Sequence, residues 1–97
     1  MSRYATGDEW KKVAAAFRSP GTPEIGRMEP THETKRMGWR VLLVDGQMYA
    51  CATHPGGGIS AAETIDGAQL GMYVDDERAA LKALSDAMTA DAGEVSP

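Results

Sequence analysis

Two Asp-Gly pairs, Asp45-Gly46 and Asp66-Gly67, each stand between runs in which apolar and polar residues alternate. This is the strongest short-range signal for a β-hairpin. A type I′ turn needs positive φ at both central residues, which Asp followed by Gly tolerates, and its twist matches that of the flanking strands. The first hairpin is predicted over about 37–54. A two-residue loop at Asp45-Gly46 sets Val44 opposite Gln47, Leu43 opposite Met48, Val41 opposite Ala50 and Trp39 opposite Ala52. Trp39, Val41, Leu43, Met48, Ala50 and Ala52 then share one face, a core face by composition. The opposite face carries Arg40, Leu42, Val44, Gln47, Tyr49, Cys51 and Thr53, and is too apolar for plain solvent surface. Cover from within the chain, such as the segment 24–35, or use as a binding surface would account for it.

The second hairpin is predicted over about 59–74, pairing Ile59–Ile65 with Ala68–Val74 about Asp66-Gly67. Ile59, Ala61, Ile65, Ala68, Leu70, Met72 and Val74 fall on one face, with Glu63 as the exception. A rival reading makes Ser60-Ala61-Ala62-Glu63 a capping box that opens a short helix over 60–66, ended by Gly67. Helices flank the hairpins. Thr6-Gly7-Asp8-Glu9 has the spacing of a capping box, and Trp10, Val13, Ala14 and Phe17 follow at i, i+3, i+4 and i+7. They predict a helix over about 7–18 that the prolines at 20 and 23 end. The segment 19–36 reads as an irregular loop. Asp75 reads as the cap of a C-terminal helix over about 76–90, with Asp76 and Glu77 in its first turn and a stripe of Ala80, Leu81, Leu84, Ala87 and Met88. Residues 91–97 read as a frayed tail. The sum is a single α+β domain over 1–97. Two hairpins make a four-stranded antiparallel sheet, and the N-terminal and C-terminal helices pack on one face of it.

At 97 residues, the chain can bury roughly two thirds of its unfolded surface, enough for a core without metal or disulfide support. The single Cys51 leaves no internal disulfide and fits a reducing compartment, so the expected localisation is cytoplasmic. The N-terminus carries no apolar signal region, and no stretch approaches the roughly 18 apolar residues of a membrane span. The net charge of −4 conceals an asymmetry. Residues 1–40 hold eight Lys or Arg against five Asp or Glu, whereas residues 41–97 hold two against nine. Without a concentrated basic surface, direct nucleic-acid binding is disfavoured. The acidic half can face a basic protein surface, or serve solubility alone.

No catalytic constellation stands out, and neither a cofactor nor a metal is expected. Cys51 and His54 are close in sequence, but an odd separation puts them on opposite faces of a regular strand. Zinc needs about four ligands, and Cys51, His32 and His54 are the only Cys and His present. The segment His54-Pro55-Gly56-Gly57-Gly58-Ile59-Ser60 is the most unusual in the chain. Consecutive glycines let backbone N–H groups converge on an anion, so His54, Gly56, Gly57, Gly58 and Ser60 are candidate contacts for a phosphate or nucleotide. A flexible connection between strands explains the same glycines. Trp10, Phe17 and Trp39 fall on apolar faces and read as core. Tyr49 and Tyr73 read onto the less apolar sheet face with Arg40, Gln47 and Gln69, a mixture found at protein interfaces. With the acidic Asp75, Asp76 and Glu77, the residues Arg40, Gln47, Tyr49 and Tyr73 are the candidate partner-binding set.

From Trp39 onward, a hairpin, the His54-Pro55-Gly56-Gly57 run, a strand and an alanine-rich helix at Asp75 are similar in order to HicB-type antitoxins. The second predicted hairpin and the full N-terminal helix depart from that order, and no residue role is carried over. The expected function is that of a small non-catalytic protein that binds another protein or complex, of inhibitor, immunity, antitoxin or phage counter-defence type. The alternative is capture of a small nucleotide or phosphate by the loop 54–60. Either hairpin edge can also pair with a second copy of the chain.

Overall fold

The computed structural model describes residues 3–31, 33, 37–53 and 58–95, the last six of these by their backbone alone. Its elements run β1 (Arg3–Tyr4), α1 (Gly7–Arg18), β2 (Glu24–Met28), β3 (Gly38–Val44), β4 (Gln47–Thr53), β5 (Ile59–Ile65), a 3-10 helix (Gly67–Met72) and α2 (Glu77–Val95). The strands form one antiparallel sheet in the order β1-β5-β4-β3-β2, five strands rather than four.

The first hairpin forms in the expected register. Val44 pairs with Gln47, Leu43 with Met48, Val41 with Ala50 and Trp39 with Ala52. Asp45 and Gly46 take φ of 52° and 79°, the positive values a type I′ turn demands. At the second Asp-Gly pair the structure departs from both readings of the sequence. Residues 59–65 are strand, not a short helix, and they pair with β4. Residues 68–74 do not return as a strand. Asp66 sits at φ −113° and ψ 177° and caps the 3-10 helix: its carboxylate accepts from the Gln69 N–H (3.2 Å) while Gln69 Oε1 accepts from the Asp66 N–H (3.1 Å). The reciprocal cap satisfies two donors at once, which the hairpin turn would leave to water.

Two further strands arise outside the predicted ones. β2 lies within the segment expected to be an irregular loop and pairs with β3 across an irregularity between Glu24 and Gly26. β1 is two residues long, adjoins β5, and continues with a bond from the Ala5 N–H to the Ala62 carbonyl (2.9 Å). These two strands occupy opposite edges of the sheet and run parallel to one another, so the chain between them must cross a full face. Four inter-strand gaps of about 4.8 Å span about 19 Å, and the 12 residues of α1 at about 1.5 Å each give about 18 Å. The helix has the length of the sheet's width.

The two helices therefore do not share a face. Val13 of α1 is buried against Leu42, Tyr49, Cys51 and Ala62 of the sheet, with Trp10 and Phe17 packed beside them. On the other face Ile25, Val41, Met48, Ala50 and Ile65 meet Leu70, Val74 and Ala80, with Trp39, Leu84 and Ala87 packed against them. The semi-apolar face of the first hairpin is thus covered from within the chain, by α1 rather than by the segment 24–35. Glu63, the polar exception on the other face, accepts from the Tyr73 hydroxyl (3.1 Å). A register shift at Ala52/Thr53 skips Ser60 and turns Ile59 toward α1. α2 begins after Asp76, whose carboxylate caps it by accepting from the Ala79 N–H (3.0 Å). Asp75, the expected cap, instead accepts from the Glu29 N–H (3.2 Å), and its own N–H donates to the Arg27 carbonyl (3.0 Å). The helix continues to Val95 through residues expected to fray.

Candidate functional site

The helix α1 is anchored at both ends by charge. At its start Thr6 and Glu9 form the expected capping box: Thr6 Oγ1 accepts from the Glu9 N–H (3.3 Å) and Glu9 Oε1 from the Thr6 N–H (2.9 Å). The same carboxylate accepts two bonds from Arg3 of β1 (2.6 and 2.9 Å) and one from the Tyr49 hydroxyl of β4 (2.9 Å). The Arg3 bonds, then the Thr6 N–H and the Tyr49 hydroxyl, hold the Glu9 carboxyl well below the usual carboxylate range. Burial, then the bond to Glu9, pushes the Tyr49 hydroxyl up. At the far end the Arg40 guanidinium lies 4.5 Å from the Phe17 ring centroid and donates to Glu24 (3.2 Å), which also pairs with Arg27 (2.8 Å). Partial burial pushes the Glu24 carboxyl up, but the bonds from Arg27 and Arg40 outweigh it and hold it below its ordinary value.

The Glu9 network makes stability depend on acid in a definite sense. An unfolded glutamate takes up its proton near about pH 4.3, whereas in the folded protein Glu9 stays ionised to lower pH. Between those values only the unfolded chain binds the proton, so the contribution is complete above pH 4.3 and falls away as pH drops through the folded value. Urea midpoints measured from pH 6 to pH 3 are expected to fall, and Glu9→Gln to start lower and fall less steeply. Parallel slopes for the two proteins would show that Glu9 carries none of the acid sensitivity.

Fixed in this way, α1 forms one wall of a cleft of about 590 Å³, lined by Trp10, Ala14, Phe17 and Arg18 from the helix and by Gly58 and Ile59 at the start of β5. Trp10, Ala14, Phe17 and Ile59 are half-buried, and Arg18 is exposed at the rim. The flank of α1 that carries Ala14 and Arg18 thus faces the cleft, with the start of β5 as its other described wall. Phe17 also lines a smaller cleft of about 210 Å³, shared with Met28, Pro30, Trp39, Arg40 and Thr53.

Of the expected partner-binding residues, Arg40 and Tyr49 lie on the face beneath α1, at opposite ends of the helix, where Tyr49 is 5% exposed and both are spent on internal bonds. Tyr73 is on the other face, its ring 4.9 Å from that of Trp39 in an edge-to-face arrangement. The sheet thus separates two tyrosines that the sequence pattern places side by side. Gln47 donates to the Met48 and Ile65 carbonyls (2.9 and 3.1 Å) and ties β4 to β5. Asp75 and Asp76 hold the start of α2 in place, and Glu77 is exposed in its first turn. In the alternative ligand set, His54, Gly56 and Gly57 lie outside the described residues, Gly58 lines the cleft and Ser60 is exposed. The residues that the sequence reading missed are Trp10, Phe17 and Arg18. The stripe at 10, 13, 14 and 17 with Lys11 and Arg18 on its flank is the signal, and only the extent of the sheet beneath shows how much of it stays uncovered.

Among the described residues, no group of three or more His, Cys, Asp or Glu is placed to hold a metal ion. No described helix is long and apolar enough to cross a membrane. Burial pushes the Cys51 thiol up to about 11, so at neutral pH very little thiolate is present to act as a nucleophile. Modification by a disulfide reagent at pH 7.5 is expected to be at least about a hundredfold slower than that of an exposed thiol and to reach full rate in urea. Fast reaction of the folded protein would show that the α1 face opens. No family model matches the sequence, and no curated protein or solved structure matches it.

Proposed function

We propose that this chain is a small, non-catalytic, cytoplasmic binding protein that engages another protein, of the inhibitor, immunity, antitoxin or phage counter-defence type, through the cleft between α1 and β5. The observation that carries this reading is the composition of the cleft. Half-buried Trp10 and Phe17 beside an exposed Arg18 are the residue types that carry most binding energy at protein interfaces. They sit on a helix held at its start by the Arg3–Glu9 ion pair and at its end by the Arg40 guanidinium over Phe17, so little ordering is required on binding. Native mass spectrometry of the protein purified gently from its own host tests the reading. A co-purifying protein, lost when Ala14→Trp fills the cleft, is the expected result.

A second reading follows from Gly58 and Arg18 lining the same cleft. A small anionic ligand would find a guanidinium and a glycine backbone there, with aromatic rings for an apolar or planar part. A bare chain or homo-oligomer carrying a few hundred extra daltons in that experiment would favour it, and would set aside the protein partner.

A further inference from the structure

We infer that the segment this cleft receives is an acidic peptide with one apolar anchor side chain. The inference rests on the cleft being the binding surface, and adds what kind of partner fits it.

The argument is one of unpaired charge. Among the described residues, Arg3, Lys12, Arg27, Arg40 and Lys82 are each engaged by a carboxylate. Lys11, Arg18 and Arg78 have no such partner and all are exposed, Arg78 on α2 and the other two on α1. Lys11 and Arg18 stand seven residues apart, two turns of α1 and about 10 Å along its axis, so they occupy one stripe of the helix. That stripe borders Trp10, Ala14 and Phe17 on the side where Arg18 lines the cleft. The neighbouring carboxylates are directed elsewhere: Glu9 to Arg3 and Tyr49, Asp45 to Lys12, Glu24 to Arg27 and Arg40. Asp8 is the one carboxylate of α1 near Lys11, a turn away. The cleft is therefore lined by the apolar side chains of Trp10, Ala14, Phe17 and Ile59 with Arg18 at its rim, and Lys11 lies two turns back on the same stripe of α1, in a protein whose net charge is −4. An acidic protein segment would be repelled by most of this molecule and attracted here. Charge of this kind selects and orients a partner more than it tightens binding.

The test is a random dodecapeptide display library selected on the immobilised full chain, with consensus peptides then measured by fluorescence anisotropy. The expected consensus has Asp or Glu within a few positions of a Phe, Leu or Trp. Ala14→Trp should abolish its binding, and Lys11→Glu with Arg18→Glu should weaken it about tenfold. That deficit should shrink toward nothing as salt is raised to about 0.5 M. Both charged side chains are exposed, and Arg18 stands in the last turn of α1, where a negative charge costs about 0.3–1 kcal/mol, so the double variant is expected to fold with its thermal midpoint lowered by only a few degrees. A consensus that needs the open cleft but has no acidic bias would overturn the acidic partner and leave the cleft reading standing. Failure to enrich any peptide, or binding indifferent to Ala14→Trp in a folded variant, would overturn both.

Discussion

Leu42→Ala is expected to destabilise the protein by about 3 kcal/mol. Leu42 is 1% exposed at the centre of β3, and the cluster beneath α1 holds few other large apolar side chains: Val13 and Tyr49 are buried with it, Trp10 and Phe17 only in part. Val44 and Ile59 are only partly buried against it as well, and the remaining members, Cys51, Ala62 and Ala5, are small. A cavity at this position has backbone on the strand side, which cannot collapse into it, so relaxation would have to come from α1 itself. Domains of this size are stable by about 5 to 15 kcal/mol, so the loss is a large share. At about 4–8 °C per kcal/mol, the thermal midpoint should fall by roughly 10–25 °C. Urea unfolding with an unchanged m-value would identify the change as one of stability alone. Hydrogen exchange would add where it acts, because amides of α1 should lose more protection than those of α2. A cost below about 1 kcal/mol would mean that α1 is not seated on Leu42 as described.

How the chain distributes its two helices shows what sequence patterns can and cannot convey. The β3/β4 hairpin is legible residue for residue, because the period of two and the Asp45-Gly46 turn are local and agree with each other. Asp66-Gly67 has the same dipeptide, yet Gln69 three residues on offers a reciprocal cap, and the local competition goes to the helix. β2 is obscured by the prolines on either side of it and by Gly26, which interrupts its alternation. β1 is too short to have a pattern at all. That omission has a long reach, since β1 at the far edge is what compels α1 to cross the sheet. Without it, both amphipathic helices read equally well onto one face.

The site was legible in composition but not in position. Periodicity gives the stripe Trp10, Val13, Ala14 and Phe17 without saying where the sheet beneath it stops, so a half-covered aromatic reads the same as a core one. Tyr49 shows the converse. Its place opposite Leu42 is predictable, but burial of its ring depends on α1, and the acceptor for its hydroxyl is forty positions away at Glu9. Two of the residues expected to meet a partner, Arg40 and Tyr49, hold in place the helix that covers their face of the sheet.

Gly26→Val is expected to cost about 2 kcal/mol, the net of two opposed effects. Valine favours strand over glycine by up to about 1 kcal/mol, whereas forcing extra volume into a packed site costs about 1–3 kcal/mol or more. A Cβ at position 26 would lie 2.7 Å from Val74 Cγ1, 3.3 Å from Val74 Cβ and 3.2 Å from Ala80 Cβ. Val74 and Ala80 are 4% and 1% exposed, so neither has room to move aside. The adjacent backbone is fixed too, because the Asp75 N–H is bonded to the Arg27 carbonyl one residue beyond the glycine. The steric effect therefore wins, and α2 must lift from the edge of the sheet. Gly26→Ala meets the same contacts with one carbon and should lose about 1 kcal/mol. Val74→Ala removes the nearest obstacle and on its own costs a cavity. Combined with Gly26→Ala it should cost less than the two single changes added together, by about 1 kcal/mol of favourable coupling. Thermal unfolding of the four proteins in that cycle measures the coupling directly. Strict additivity would mean that β2 and the start of α2 do not approach as closely as described, and that the glycine is there for its backbone instead.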